Sequence, residues 1–267
     1  MKLLIIPDIH CRTFWRKTVN NNSDKVDKVI FLGDYLDFYP SEFMDNPESL
    51  ELEDFYDSTS ALIMLEDIFS LKEDNPDKFI LLTGNHTDSY IWPTFKTPSR
   101  TDRKNWEKYH KFFSQNLDYF NLVWIENDVI ISHAGITEDW AYTFLADYMK
   151  YDESALEGIS FVRETAEVLK NTLLKDFNKY YINAISDISY YRQGESLYGS
   201  CEWADIREHL DLSASLINPC PKGEKGIYQI FGHTQLIQPL ITDKWACLDC
   251  RKGFIFDTLT HECKSCL

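Results

Sequence analysis

Lys2-Leu3-Leu4-Ile5-Ile6-Pro7-Asp8-Ile9-His10 opens the chain, a short apolar run that ends on two residues able to hold a metal ion. The arrangement returns four times. Val29-Ile30-Phe31-Leu32 leads to Gly33-Asp34, with Asp37 three residues on, and Phe79-Ile80-Leu81-Leu82 leads to Gly84-Asn85-His86. Val129-Ile130-Ile131 leads to Ser132-His133-Ala134-Gly135, and Tyr228-Gln229-Ile230-Phe231 to Gly232-His233-Thr234. Apolar runs of this length read as buried strands. Open α/β sheets build their sites just outside the carboxyl ends of such strands. Strands that all end on Asp, Asn or His predict an α/β fold with a divalent-metal site.

The donors sort themselves. A carboxylate has two oxygens and can bridge two cations. Counting donors gives one ion on Asp8, His10 and Asp34 and a second on Asp34, Asn85, His133 and His233. Mixed oxygen and nitrogen donors suit manganese first, with iron or zinc as alternatives, better than calcium.

The chain has 267 residues, 44% hydrophobic and 26% charged, which fits one large α/β domain or two small ones. A net charge of −16 argues against a non-specific nucleic-acid binder, which would show a basic face. It also repels polyanionic substrates unless bound metals reverse the sign locally. The apolar run at Met1 to Ile6 is too short for a signal peptide, and no later run spans a bilayer. With 7 Cys, an odd count, a reducing, cytoplasmic setting is expected. The oligomeric state is not legible.

Along the chain, Ser49 to Leu71 carries apolar residues at near-helical spacing, and Asn75-Pro76 stops that helix. Residues 92–115 read as a proline-bearing loop and a short helix over Asp102 to Ser114, near the mouth of the site. Val123 to Glu126 and Val129 to Ser132 read as a hairpin turned by Asn127-Asp128. Thr137 to Tyr181 is helical in two or three pieces and reads as an insertion covering one flank, with packing as its plainest role. His110, His209 and His261 read as surface histidines. Arg12, beside the first motif, and Arg192, beside Tyr190-Tyr191, are candidates for binding a substrate phosphate, because the guanidinium fork grips phosphate bidentately.

The order Asp-x-His, Gly-Asp-x-x-Asp, Gly-Asn-His, His-Ala-Gly, Gly-His-Thr, from Asp8 to Thr234, resembles the calcineurin-like metallophosphoesterase superfamily. The resemblance implies an α/β fold in which a two-sheet sandwich is flanked by helices. It would form one domain over 1–267 with a helical insertion at about 137–193. It implies that Asp34 bridges the metals and that His86 is not a ligand but gives a proton to the leaving-group oxygen, with Asp37 orienting its imidazole. The implied reaction is hydrolysis of a phosphate monoester, on a phosphoprotein or a small metabolite, by water activated between two ions. Dinucleoside polyphosphates and cyclic diesters are alternative substrates. A silent scaffold that binds a partner through the insertion is the non-enzymatic alternative.

Within the superfamily the chain resembles the phosphoprotein phosphatase branch in Gly232-His233-Thr234-Gln235, which lacks a second His, and in the segment around Trp203-Ala204-Asp205. It departs from that branch at Phe38-Tyr39, where the branch has Arg-Gly, at Thr87 in place of Glu, and at Cys11 in place of Gly. The missing arginine is the one that normally holds the substrate phosphate. Phe38, Tyr39 and Tyr90 form either an aromatic wall beside the metals or plain packing. At the C-terminus, Cys247-x-x-Cys250 and Cys263-x-x-Cys266 have zinc-ribbon spacing. A structural zinc on Cys247, Cys250, Cys263 and Cys266 would make 245–267 a small Cys-rich element. The rival reading makes Trp245 to Asp249 a late core strand with Cys247 as a small buried hydrophobe.

Overall fold

The computed structural model describes residues 1–38, 56–58, 60–211 and 220–266. The expected helix from Ser49 lies partly outside these residues, as does Tyr39.

The repeated apolar runs become strands of two sheets. The first sheet holds β1 (Lys2–Ile6), β2 (Lys28–Phe31), β3 (Phe79–Leu82) and β4 (Phe120–Asn121) side by side and parallel. Helix α1 (Phe14–Asn22) joins β1 to β2, α2 (Ala61–Asp74) precedes β3, and α3 (Asn85–Ile91) and α4 (Trp106–Gln115) lead on to β4. The second sheet is built on β5 (Val123–Glu126) and β6 (Val129–Ser132), the expected hairpin, with Asn127 at its turn in the left-handed region (φ 54°). Parallel to β6 runs β9 (Tyr228–Phe231), and parallel to β9 runs β11 (Trp245–Cys247). A small ladder, β7 (Leu210–Asp211) with β8 (Cys220–Pro221), precedes β9, and β10 (Leu240–Ile241) edges the second sheet. Antiparallel β12 (Phe254–Asp257) and β13 (Cys263–Ser265) complete the first sheet beside β1.

Strand side chains alternate between faces, and here both faces are covered. Leu3, Ile5, Ile30, Leu32, Ile80 and Leu82 meet Val129, Ile131, Ile230, Ala246 and Leu248 between the sheets. Leu4, Ile6, Val29, Phe31, Phe79 and Leu81 face the helices, among them Trp15 and Val19 of α1 and Leu65 and Ile68 of α2. Each large apolar side chain so buried contributes about 1.5–3 kcal/mol. The result is two sheets flanked by helices, the expected class.

Between β6 and β9 lie α5 (Glu138–Thr143), α6 (Glu153–Leu156), α7 (Phe161–Asn171) and α8 (Lys179–Ile185). Each starts at a residue whose side chain accepts a backbone N–H of the first turn, respectively Thr137, Asp152, Ser160 and Asn178, which is the chemistry of an N-cap. Among the described residues no helix is long and apolar enough to cross a membrane.

The structure sets Cys247 apart from the other cysteines of the zinc-ribbon pattern. Cys247 packs with Phe231 and Trp245 on the outer face of the second sheet, whereas Cys250 lies in the layer between the sheets. The Cys247 thiol donates weakly toward the carbonyls of Gly232 and Thr234. Cys263 and Ser265 belong to a paired strand rather than a frayed tail. Among the described residues no cysteine joins a metal-capable group. The surface reading of His209 is corrected: it is buried, stacked at 4.5 Å on Phe231, with Nε2 on the Ala134 carbonyl.

Candidate metal centre

All five motifs lie at carboxyl ends of strands in the parallel parts of the two sheets. Tight loops turn there, and several site residues carry the left-handed backbone themselves: His10 (φ 43°), Asp34 (45°), Asp37 (63°) and His233 (62°). Such residues cost of order 1–3 kcal/mol each and persist where surrounding structure dictates them. Two glycines make room. A Cβ on Gly84 would stand 2.3 Å from Asp34 Oδ1, and one on Gly232 would stand 2.1 Å from Asp8 Oδ1.

Asp34 is the centre. Its Oδ1 accepts the His86 backbone N–H at 2.9 Å. Its Oδ2 has His133 Nε2 at 3.3 Å on one side and His10 Nε2 at 3.7 Å on the other. Both rings are fixed through the opposite nitrogen, His133 Nδ1 to the Leu32 carbonyl and His10 Nδ1 to the Leu36 carbonyl, each at 2.9 Å. Such outer contacts set the tautomer of a metal-binding histidine.

That tautomer tests the fit to a metal. Nδ1 donates to a carbonyl, and against the effect of burial the Asp34 and Asp8 charges push the His133 pKa well above 6.5, so without an ion Nε2 carries a proton where a cation would sit. Around it stand Asp34 Oδ2, Asn85 Oδ1 at 3.2 Å and His233 Nδ1 at 3.1 Å. Acceptors converge where one proton could serve a single pair. His233 Nε2 is also buried without a hydrogen-bond partner. A divalent cation satisfies the converging atoms, with one nitrogen of His233 among them, so the residues fit one. His10 is held neutral, its pKa lowered to about 4 mainly by burial. His233 is held neutral by burial and by the nearby Arg192 and His133 charges. Neutral imidazoles are the ligand form.

Two groups of metal-capable side chains result, His10 with Asp34 and His86, and Asp34 with His133 and His233, the donor atoms of each within 4.8 Å of one another. Asp34 belongs to both. Asp8 joins neither group. Its carboxylate accepts the His233 N–H at 3.1 and 3.2 Å. Burial raises its pKa to about 6, against the pull of His133.

Beside this cluster His86 Nδ1 meets Asp37 Oδ2 at 2.7 Å. Asp37 Oδ1 accepts from the Tyr90 hydroxyl (2.5 Å) and the Asp102 backbone N–H (3.1 Å). Burial alone would depress the His86 pKa, but the Asp34 charge and the Asp37 hydrogen bond outweigh it, and the net shift is upward. The loop at 92–105 therefore reaches the site, as expected, with Thr97, Pro98 and Ser99 lining the cavity. Tyr90 is fully buried and packs on Tyr109 and Phe113. Ser132 accepts the Gly135 N–H, a strand-end role.

The cavity above the cluster has a volume of about 590 Å³ and is walled by Trp203, Tyr191, Arg192 and Arg207. Arg192 Nη2 donates to Thr234 Oγ1 (2.6 Å) and the His233 carbonyl (3.3 Å), and its Nε lies 2.9 Å from Asp205 Oδ2. Arg12 is placed elsewhere: it is buried, its guanidinium lies 5.1 Å above the Phe38 ring, and it does not line this cavity.

Sequence reasoning passed over Asp249. It follows β11 as His233 follows β9, lines the cavity, and is only 4% exposed. Burial and the Asp8 charge push its carboxyl well above the usual range. The signal was available: Trp245-Ala246-Cys247-Leu248-Asp249 is another apolar run ending on a metal donor.

Solved structures resemble the fold at low identity. One of a cold-active protein tyrosine phosphatase superposes with a TM-score of 0.52 at 13% identity, covering 99% of this chain and 78% of that one. One described as a protein serine/threonine phosphatase from Saccharomyces cerevisiae with similarity to human phosphatase PP5 gives 0.45 at 12% identity, covering 96% and 72%. A search of curated proteins by sequence found no match. The family model of the calcineurin-like phosphoesterases matches residues 1–234. The chain belongs to that family and is a hydrolase of phosphoric ester bonds.

Proposed function

We propose that the protein hydrolyses phosphate monoesters at a dinuclear centre, manganese first. Asp8, His10 and Asp34 would hold one ion, and Asp34, Asn85, His133 and His233 the other. The observation that carries this reading is the pair of imidazole nitrogens flanking Asp34 Oδ2, each ring tied back through a carbonyl. When bound, the ions would supply charge neutralisation and an activated water for in-line attack on phosphorus.

The chain's own residues do the rest. Arg192, the only one of the two expected arginines on the cavity wall, meets the phosphate in place of the arginine missing after Asp37. His86 holds a proton for the leaving-group oxygen. Asp37 keeps the imidazole oriented and charged, and is itself held by Tyr90 and Asp102. Burial of this relay excludes water from the proton's path. The free cysteines, all seven of the chain, support a reducing, cytoplasmic setting.

The test is hydrolysis of p-nitrophenyl phosphate by metal-stripped protein with manganese restored, beside bis(p-nitrophenyl) phosphate and a dinucleoside tetraphosphate. Turnover of the monoester alone supports the reading. Faster turnover of either other ester replaces it with a diester or polyphosphate hydrolase.

A further inference from the structure

We infer that Arg207, braced between Asp205 and the Tyr191 ring, forms a second anion subsite at the cavity rim, so that preferred substrates are phosphate monoesters carrying a second anionic group. This rests on the monoesterase reading above and deepens it.

Two guanidinium groups share one carboxylate at the wall. Arg192 Nε lies against Asp205 Oδ2, while Arg207 Nε donates to Asp205 Oδ1 at 2.7 Å and its Nη2 reaches Oδ2 at 3.2 Å. Arg207 Nη2 also donates to the Tyr191 carbonyl at 2.8 Å. Those bonds leave Nη1, with two hydrogens, without an acceptor among the described residues. The two guanidinium groups outnumber the one carboxylate they share, which leaves an unbalanced positive charge at this point of the wall in a chain whose net charge is −16, although Asp34 and Asp249 also line the cavity.

The two arginines stand at different depths. Arg192 touches the backbone of His233 and its side chain is 27% exposed, whereas the Arg207 side chain is 48% exposed. Arg207 is stiffened by stacking, its guanidinium 4.6 Å from the Tyr191 ring centroid. A fixed guanidinium loses little freedom on binding an oxyanion. Tyr191 and Arg207 also line an adjoining groove of about 260 Å³, where Lys222 adds a further cation. Arg207 therefore stands where the metal cavity opens into this groove, as a substrate longer than one phosphate requires. Asp139, Glu208 and Asp211 line the same groove, Glu208 being occupied by the Gly199 and Asp205 backbone N–H groups, which places the anion at Arg207 rather than deeper in the groove.

The second anion could be a second phosphate on a small metabolite or a carboxylate beside a phosphorylated residue, and the experiment separates them. Wild-type and Arg207→Gln proteins, both loaded with manganese, are assayed on a hexose bisphosphate against the hexose monophosphate. They are also assayed on a phosphotyrosyl peptide with Asp next to the phosphorylated residue against its Ala counterpart. In at least one pair the wild type should favour the doubly anionic member by about tenfold in kcat/KM, through KM, as one charge-assisted hydrogen bond provides. Arg207→Gln should bring that ratio near one, and Arg207→Lys should keep most of it. Ratios near one in the wild type for both pairs, or a ratio unchanged by Arg207→Gln, overturn the subsite. Failure to hydrolyse p-nitrophenyl phosphate with manganese overturns the parent reading, and the subsite with it.

Discussion

The floor of the cavity and its wall are built in opposite ways. On the floor the donors sit one to four residues beyond strands, the His10 and His133 rings and the Asp8 and Asp34 carboxylates are tied to backbone, and Gly84 and Gly232 leave room for the two carboxylates. The wall comes from residues 188–207, a stretch of turns between α8 and β9, and is held mainly by ion pairs through Asp205. Rigid sheet ends hold groups that must not move relative to one another. Half-exposed arginines on a turn-rich segment hold groups that meet a variable ligand. Ile188, Tyr191 and Arg192, which face the cavity, lie beyond the helical stretch 137–181 that reads as packing.

Substitutions can break this comparison. The largest effect belongs to the floor. Asp34→Asn should cost roughly 10³-fold or more in turnover and lower the bound metal measured by elemental analysis. Retention of two ions and full activity would show that the bridge lies elsewhere.

Next is His86→Asn, expected to slow p-nitrophenyl phosphate turnover by about 10²–10⁴-fold with metal content unchanged, the smaller loss being expected for such an activated leaving group. The pH profile sharpens this. His86 must carry its proton, and its pKa is shifted above the ordinary 6.5 by Asp34 and Asp37 against the opposing effect of burial. Activity should therefore fall as pH rises through a value above 6.5, and that limb should vanish in the variant.

Asp249→Asn tests the buried cavity carboxylate that the motifs did not announce. Loss of a group neighbouring a ligand should weaken manganese binding by about 10–100-fold, read by chelator competition. The metal-free protein should melt higher by a few degrees, roughly 2–4 °C per kcal/mol, because a carboxyl disfavoured by burial and by the Asp8 charge is removed. Movement of both readouts in the same direction would remove the electrostatic account.

The smallest effect is structural. Gly84→Ala should cost about 1–3 kcal/mol by overpacking, since the new methyl meets Asp34 Oδ1. Metal should partly rescue stability in urea if that carboxylate is a ligand.

How much could be read in advance follows the same division. The strands before Asp8, Asp34, Asn85, His133 and His233 were legible because alternating burial on two covered faces demands near-continuous apolar runs. The family pattern then supplied the roles of Asp34, His86 and Asp37. The His86–Asp37 contact appears at 2.7 Å, while Asp8 stands outside both metal-capable groups.

Sequence by itself determined the sheets, the strand-end loops and most of the side chains gathered at the cavity floor, because strand period and turn chemistry are local properties written residue by residue. Only the tertiary structure decided that Arg192 rather than Arg12 walls the cavity, that Asp249 joins the floor, that His209 is buried under Gly135, and that Cys247 and Cys250 part onto opposite faces of a sheet. Each of these depends on which distant segments meet. That is set by how the two sheets pack and where the connections cross, and no local pattern records it.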